Sequence, residues 1–182
     1  MMLPEVRVFF ERAGARRQSL LGLVAAIPPT YWPRTAPGDA WSARNHLEHA
    51  ATADAFLDEV VARLVDGAET WLAGSADPHG LVVARAEAMQ RFEGVPLDAV
   101  LDAMAVARSR LARSLAVLER SHLLEPIFIA GHVSAWGEPR PIAFGSYLDA
   151  WAAHDSAHES CIRDAVSTPP DLVTVALTRR LR

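Results

Sequence analysis

The chain has 182 residues, 51% hydrophobic and 22% charged, enough for one domain that buries roughly two-thirds of its unfolded surface. That mixture excludes a disordered chain, and Gly 10 with Pro 12 in no periodic order excludes a collagen-like or low-complexity one. The net charge of −4 offers no global basic footprint for nucleic acid or an anionic membrane surface.

All 18 basic residues are Arg, which removes Schiff-base and Lys-nucleophile chemistry. The single Cys161 can form no internal disulfide and fits a reducing, cytoplasmic setting. Residues Met1 to Arg7 lack a basic region followed by an apolar one, and no run of about 18 apolar residues follows, so neither a leader nor a membrane span is expected.

In chain order, Val6, Phe9, Phe10, Ala13, Leu20, Leu21 and Val24 recur at three- and four-residue spacing between Pro4 and Ile27, and Pro28-Pro29 stops the pattern. This predicts a first helix. A Pro-rich connection leads to Trp41, and Ser42 is an N-cap candidate for a second helix through Val60, Val61 and Leu64, ending before Gly67. Asp77-Pro78-His79-Gly80 opens a segment with a short helical candidate from Leu81 to Phe92. A third strong helix starts near Pro96 and runs through Val100, Leu101, Met104, Leu111, Leu115 and Leu118.

The stretch from Gly131 to Gly145 reads as a long irregular connection, and a fourth long helix runs from about Ser146 to Val166, ended by Pro169-Pro170. Beyond it, Leu172 to Leu177 fits a strand or a short helix. No alternating run elsewhere supports a sheet. The expectation is an all-α fold, a four-helix bundle in a single domain over 1–182, with a tail at 169–182 of unassigned structure.

Chemistry concentrates in the histidines, at positions 46, 49, 79, 122, 132, 154 and 158. His154 and His158 lie four apart, about 40° around a helix, so both imidazoles project from one stripe as a shared divalent ion requires. Tyr147, Trp151, Cys161, Ile162 and Ala165 share that stripe, while Asp149, Asp155, Ser156, Glu159 and Arg163 fall on the other side.

A lone core histidine is ordinarily satisfied by hydrogen bonds. Two at ligand spacing on an apolar face shift the reading towards a metal, because one ion satisfies both imidazoles. From the second helix either His46 or His49 would supply a third ligand, with helical geometry slightly favouring His46. Three histidines leave coordination positions open, the arrangement of a catalytic site.

The segment Trp41-Ser42-Ala43-Arg44-Asn45-His46-Leu47-Glu48-His49 resembles the motif of DinB/YfiT-like proteins, in which Trp-Ser opens the second helix and a ligand His follows eight residues after the Trp. His154-Asp155-Ser156-Ala157-His158-Glu159-Ser160-Cys161-Ile162 resembles the family's last-helix signature, and Gly94 to Leu118, with Arg108 and Leu111, resembles its third helix. The resemblance spans about Met1 to Val166 and selects His49, His154 and His158 as ligands. It implies up-down-down-up connectivity, a homodimer, and a divalent metal such as zinc or nickel.

Relatives include bacillithiol S-transferases and mycothiol-dependent isomerases. The resemblance therefore implies a thiol S-transferase that uses a low-molecular-weight thiol on a small-molecule electrophile. The alternatives are a hydrolase with a metal-bound water and a non-enzymatic, stress-related dimer whose metal is structural. Where the family often has Gln three residues after the last ligand, this chain has Cys161, which reads as a fourth ligand or, in preference, a small buried hydrophobe.

Asp54 is a candidate to orient a ligand or act as a base, against a solvated place on the helix exterior. His46 is a candidate partner behind a ligand, against a core filler. Trp41 beneath the second helix and Trp151 one turn before His154 read as core, with a pocket wall as the alternative. His79 and His132 read as loop residues, and His122 as a partner of the third helix's C-terminal dipole.

Overall fold

The computed structural model describes residues 1–74, 76–134 and 137–168; the tail at 169–182 lies outside them. Among the described residues the protein is mostly helical: α1 (Pro4–Ala26), α2 (Ala43–Val65), α3 (Pro78–Gln90), α4 (Leu97–Leu115) and α5 (Phe144–Ser167). Each helix follows an expected segment, and local chemistry accounts for the ends. Pro4 sits in the first turn of α1, where its missing N–H is no loss. Ser42 caps α2 reciprocally with Asn45: its Oγ accepts the Asn45 N–H at 3.2 Å, and Asn45 Oδ1 accepts the Ser42 N–H at 3.2 Å. Asp77 caps α3 by accepting the His79 N–H at 3.1 Å, so this helix starts three residues before the expected Leu81.

The expectation of no sheet is corrected. A small three-stranded sheet is present, in the order β1 (Thr70–Trp71), β2 (Pro126–Phe128) and β3 (Ile142–Ala143), with β1 parallel to β2 and β2 antiparallel to β3. Strands of two or three residues are too short to show a two-residue alternation. The sheet interrupts the long connection before α5: Ile127 pairs with Ile142, and the Phe144 N–H donates to the Glu125 carbonyl at 3.0 Å. These bonds seat the first turn of α5.

Helix α2 lies at the centre, packed by α4, α5 and α3, while α5 also packs along α1. Every residue from His46 to Asp54 is buried, so this part of α2 has no solvent face. Its Ala50-Ala51-Thr52-Ala53 run lets neighbouring helices approach closely. Two apolar clusters flank that stretch. One includes Leu57, Val60, Leu111, Leu115, Phe144 and Leu148, and the other Leu20, Leu47, Val100, Met104 and Ile162. No described helix is long and apolar enough to cross a membrane.

Between the apolar clusters lies a buried ionic network. The Arg17 guanidinium holds Asp155 through Nε at 2.5 Å and Nη2 at 3.2 Å, and lies 3.5 Å from Asp54. Arg108 Nε donates to Asp54 at 2.8 Å, and Trp151 Nε1 donates to the other Asp54 oxygen at 3.2 Å. Asp54 and Asp155 are 1% and 4% exposed, which overturns the exterior placing of both. The reason lies in packing: α5 meets α1 as well as α2, so a second face of α5 is buried, and Asp155 carries the charge that Arg17 of α1 needs.

Candidate metal centre

The cap at Ser42 and the centrality of α2 place His46 and His49 against α5, where His154 and His158 sit one turn apart. One ligand atom from each of His49, His154 and His158 lies within 4.8 Å of the others. The ring centroids are 5.1 Å apart for His49 and His154, 4.8 Å for His49 and His158, and 4.5 Å for His154 and His158. Nδ1 of His49 and Nδ1 of His154 are buried without a hydrogen-bond partner, whereas buried polar atoms in folded proteins are almost always paired.

Burial, then the neighbouring His154, lowers His49 to about 3, and burial, then His158, lowers His154 to about 3. His158 is lowered to about 4, by burial and then by His46. All three imidazoles are neutral at pH 7, the form that binds a metal. Unpartnered nitrogens on neutral, convergent rings fit a divalent ion.

His158 is held from behind. Its Nδ1 lies 3.1 Å from His46 Nδ1, and His46 Nε2 lies 2.8 Å from Asp39 Oδ2. The Trp41 backbone N–H, then the His46 side chain, hold the Asp39 carboxyl below its usual range, so Asp39 accepts. In the tautomer that donates from Nε2 to Asp39, His46 Nδ1 accepts from His158 Nδ1–H, which leaves His158 Nε2 with a free lone pair. A carboxylate behind a ligand imidazole orients such sites in this way. His46 thus bridges His158 and Asp39 rather than only filling the core. Asp39, in the Pro-rich connection, was not picked out from the sequence.

Trp41 is half-buried, and its ring centroid lies 4.9 Å from that of His49, 5.4 Å from His46 and 6.2 Å from His158. It walls the cluster rather than packing beneath α2. Trp151 belongs to both readings, since it is buried in the core and also lines a cavity with His49 and His154. Asp54 touches none of the three histidines, its oxygens being engaged by Trp151, Arg108 and Arg17.

Cys161 groups with Asp39 and His46 rather than with the three histidines. It is half-buried, and burial, then Asp39, push its thiol up. His79 is exposed, but it stands in the first turn of α3 and not in a loop. His132 is exposed in a turn, with Nδ1 2.8 Å from the Arg140 carbonyl. His122 lies beyond α4 and caps a short turn, its Nδ1 accepting the Glu119 N–H at 2.9 Å, so it is not a partner of the helix dipole.

Two cavities lie near the cluster, and only the smaller has any of the three histidines in its wall. One, of about 190 Å³, has His49 and His154 in its wall with Phe56, Leu81, Tyr147 and Trp151. The other, of about 490 Å³, is lined by Trp41, Asn45, Glu48, Met89 and Glu93. Arg85 of α3 lines both.

The chain matches no protein-family model, no curated protein and no solved structure.

Proposed function

We propose that this is a DinB/YfiT-like four-helix bundle of α1, α2, α4 and α5, in which His49, His154 and His158 hold one divalent ion, zinc or nickel, for a thiol S-transferase reaction on small electrophiles. The observation that carries the metal reading is the convergence of three neutral imidazoles, two of them with buried nitrogens that have no other partner. A bound ion would act as a Lewis acid that stabilises a thiolate at neutral pH.

The remaining work falls to the chain's own groups. Asp39 and His46 fix the ring of His158, and Trp41 shields the cluster from water on one side. The two cavities that adjoin at Arg85 supply room for two reactants, a thiol and its electrophile. A hydrolase would need one such space and a water, so this pairing favours the transferase over the hydrolase. Cys161 stands outside the three-histidine group, which leaves the coordination open and favours catalysis over a purely structural ion.

The test is metal content by elemental mass spectrometry on tag-free protein, compared with His49→Ala and His158→Ala. Near-stoichiometric zinc or nickel, lost in both variants, is the expected result. Absence of metal after reconstitution with several divalent ions overturns the reading. With the ion in place, thiol-dependent turnover of a halogenated aromatic is expected; ester or amide cleavage without thiol would establish the hydrolase instead.

A further inference from the structure

Arg85 stands apart from the other arginines near the site. Arg17 and Arg108 are held by Asp54 and Asp155, and Arg44 by Glu48 at 2.6 Å. Arg85 has no ion pair or hydrogen bond among the described residues, although it is half-buried. It is also the one residue common to the walls of both cavities.

Among the described residues that line the smaller cavity, Arg85 supplies the only formal charge. The other wall residues are apolar, hydroxyl-bearing or the neutral His49 and His154. Its field reaches the cluster: it depresses both histidines further and opposes the burial that pushes Tyr147 up to about 12. A guanidinium without an ion pair at the edge of an apolar pocket attracts an anion, and its planar fork matches a carboxylate. The larger cavity suits an anion less, because Glu48 and Glu93 stand in its wall. The apolar cavity, at about 190 Å³, is somewhat larger than the ~150 Å³ space that accepts benzene.

We propose that Arg85 anchors the carboxylate of a small anion whose apolar body, of about one ring, fills the cavity between Phe56, Leu81, Tyr147 and Trp151 beside His49 and His154. This names a substrate class for the site under the reading above, and rests on that reading only for the reaction. Recognition itself belongs to Arg85 and the cavity wall.

The test titrates benzoate and its neutral isostere benzamide into the metal-loaded full chain by calorimetry, with Arg85→Gln and Arg85→Lys alongside and metal content measured on each. Wild type is expected to favour benzoate by at least about tenfold, the scale of one charge-assisted hydrogen bond. Arg85→Gln should bring the ratio to near one with its metal retained, and Arg85→Lys should restore part of it.

Equal or undetectable binding of both probes by wild type overturns the proposal. So does a benzoate preference that survives in Arg85→Gln, which would assign the carboxylate to the ion. A wild-type chain without metal that still shows the Arg85-dependent ratio would refute the metal reading and leave the anion site standing.

Discussion

His154 and Asp155 are consecutive on α5, yet they enter two polar clusters completed on opposite terms. Around Asp155 the acceptors are satisfied: all four oxygens of Asp54 and Asp155 are met by Arg17, Arg108 or Trp151, while Arg108 Nη1 is a buried donor without a partner. Around His154 the rings are neutral and converge, and two buried nitrogens face no protein partner. The carboxylates of the ionic cluster are all met within the protein, so it serves the packing of α1, α2, α4 and α5. The histidine cluster leaves two buried nitrogens unmet in the protein alone, and that supports the reading of it as a group that could hold a metal ion.

The largest expected effect comes from breaking the closed cluster. Asp155→Ala leaves Arg17 buried without its main partner and should cost about 3–5 kcal/mol of stability, read from urea unfolding. Folded Asp155→Ala protein should still take up metal, since Asp155 is not among the three grouped histidines. Replacing both partners, as Arg17→Met with Asp155→Leu, should cost less than the single change, because no uncompensated charge then remains on α1. A single-variant loss below about 1 kcal/mol, the scale of an exposed ion pair, would show that the network is not buried as described.

Acid acts on the open cluster. In metal-free protein His49 and His154 titrate near 3 and His158 near 4, whereas a histidine in the unfolded chain takes its proton near 6.5. Between those values the unfolded chain binds more protons, so stability is fully present above about 6.5 and is lost progressively as the pH falls towards 3–4. The melting temperature of the metal-free protein should therefore drop between pH 7 and pH 5. His154→Gln, which removes one of these groups, should show a shallower drop over the same interval. Parallel profiles for the two proteins would mean that His154 is not held neutral by its surroundings.

The two clusters were unequally legible in the sequence. Helix α2 was readable from Ser42 and its apolar periodicity, and His154 with His158 from their four-residue spacing. Choosing between His46 and His49 was beyond periodicity, because both are buried and differ in their partners: His46 is committed to Asp39, His49 has an unpartnered nitrogen. That distinction depends on how the Pro-rich connection folds back on α2, which no local pattern encodes.

The ionic network did leave one signal. Arg17 occupies the apolar stripe of α1, between Ala13 and Leu20, where a charge demands a buried partner. Asp155 was misplaced because one helical stripe was assumed for a helix that packs on two neighbours. Arg85 was invisible for a different reason: a lone arginine on a short helix has meaning only through the cavities it borders.

The smallest effect sharpens the comparison most, because it asks which residues lie behind the open cluster and which merely lie near it. Asp39→Asn keeps the size of the side chain and removes the carboxylate that fixes His46 and, through it, the free nitrogen of His158. Metal affinity should fall about 10–100-fold, measured by competition with a chromogenic chelator, with little change in thermal stability because Asp39 is only half-buried. Cys161→Ser should leave the affinity unchanged, since the thiol groups with Asp39 and His46 and not with the three histidines. The reverse pattern, a loss in Cys161→Ser and none in His154→Ala, would place the ion on Asp39, His46 and Cys161. The carboxylate behind His46 would then be a ligand, and the three-histidine group a set of neutral core rings.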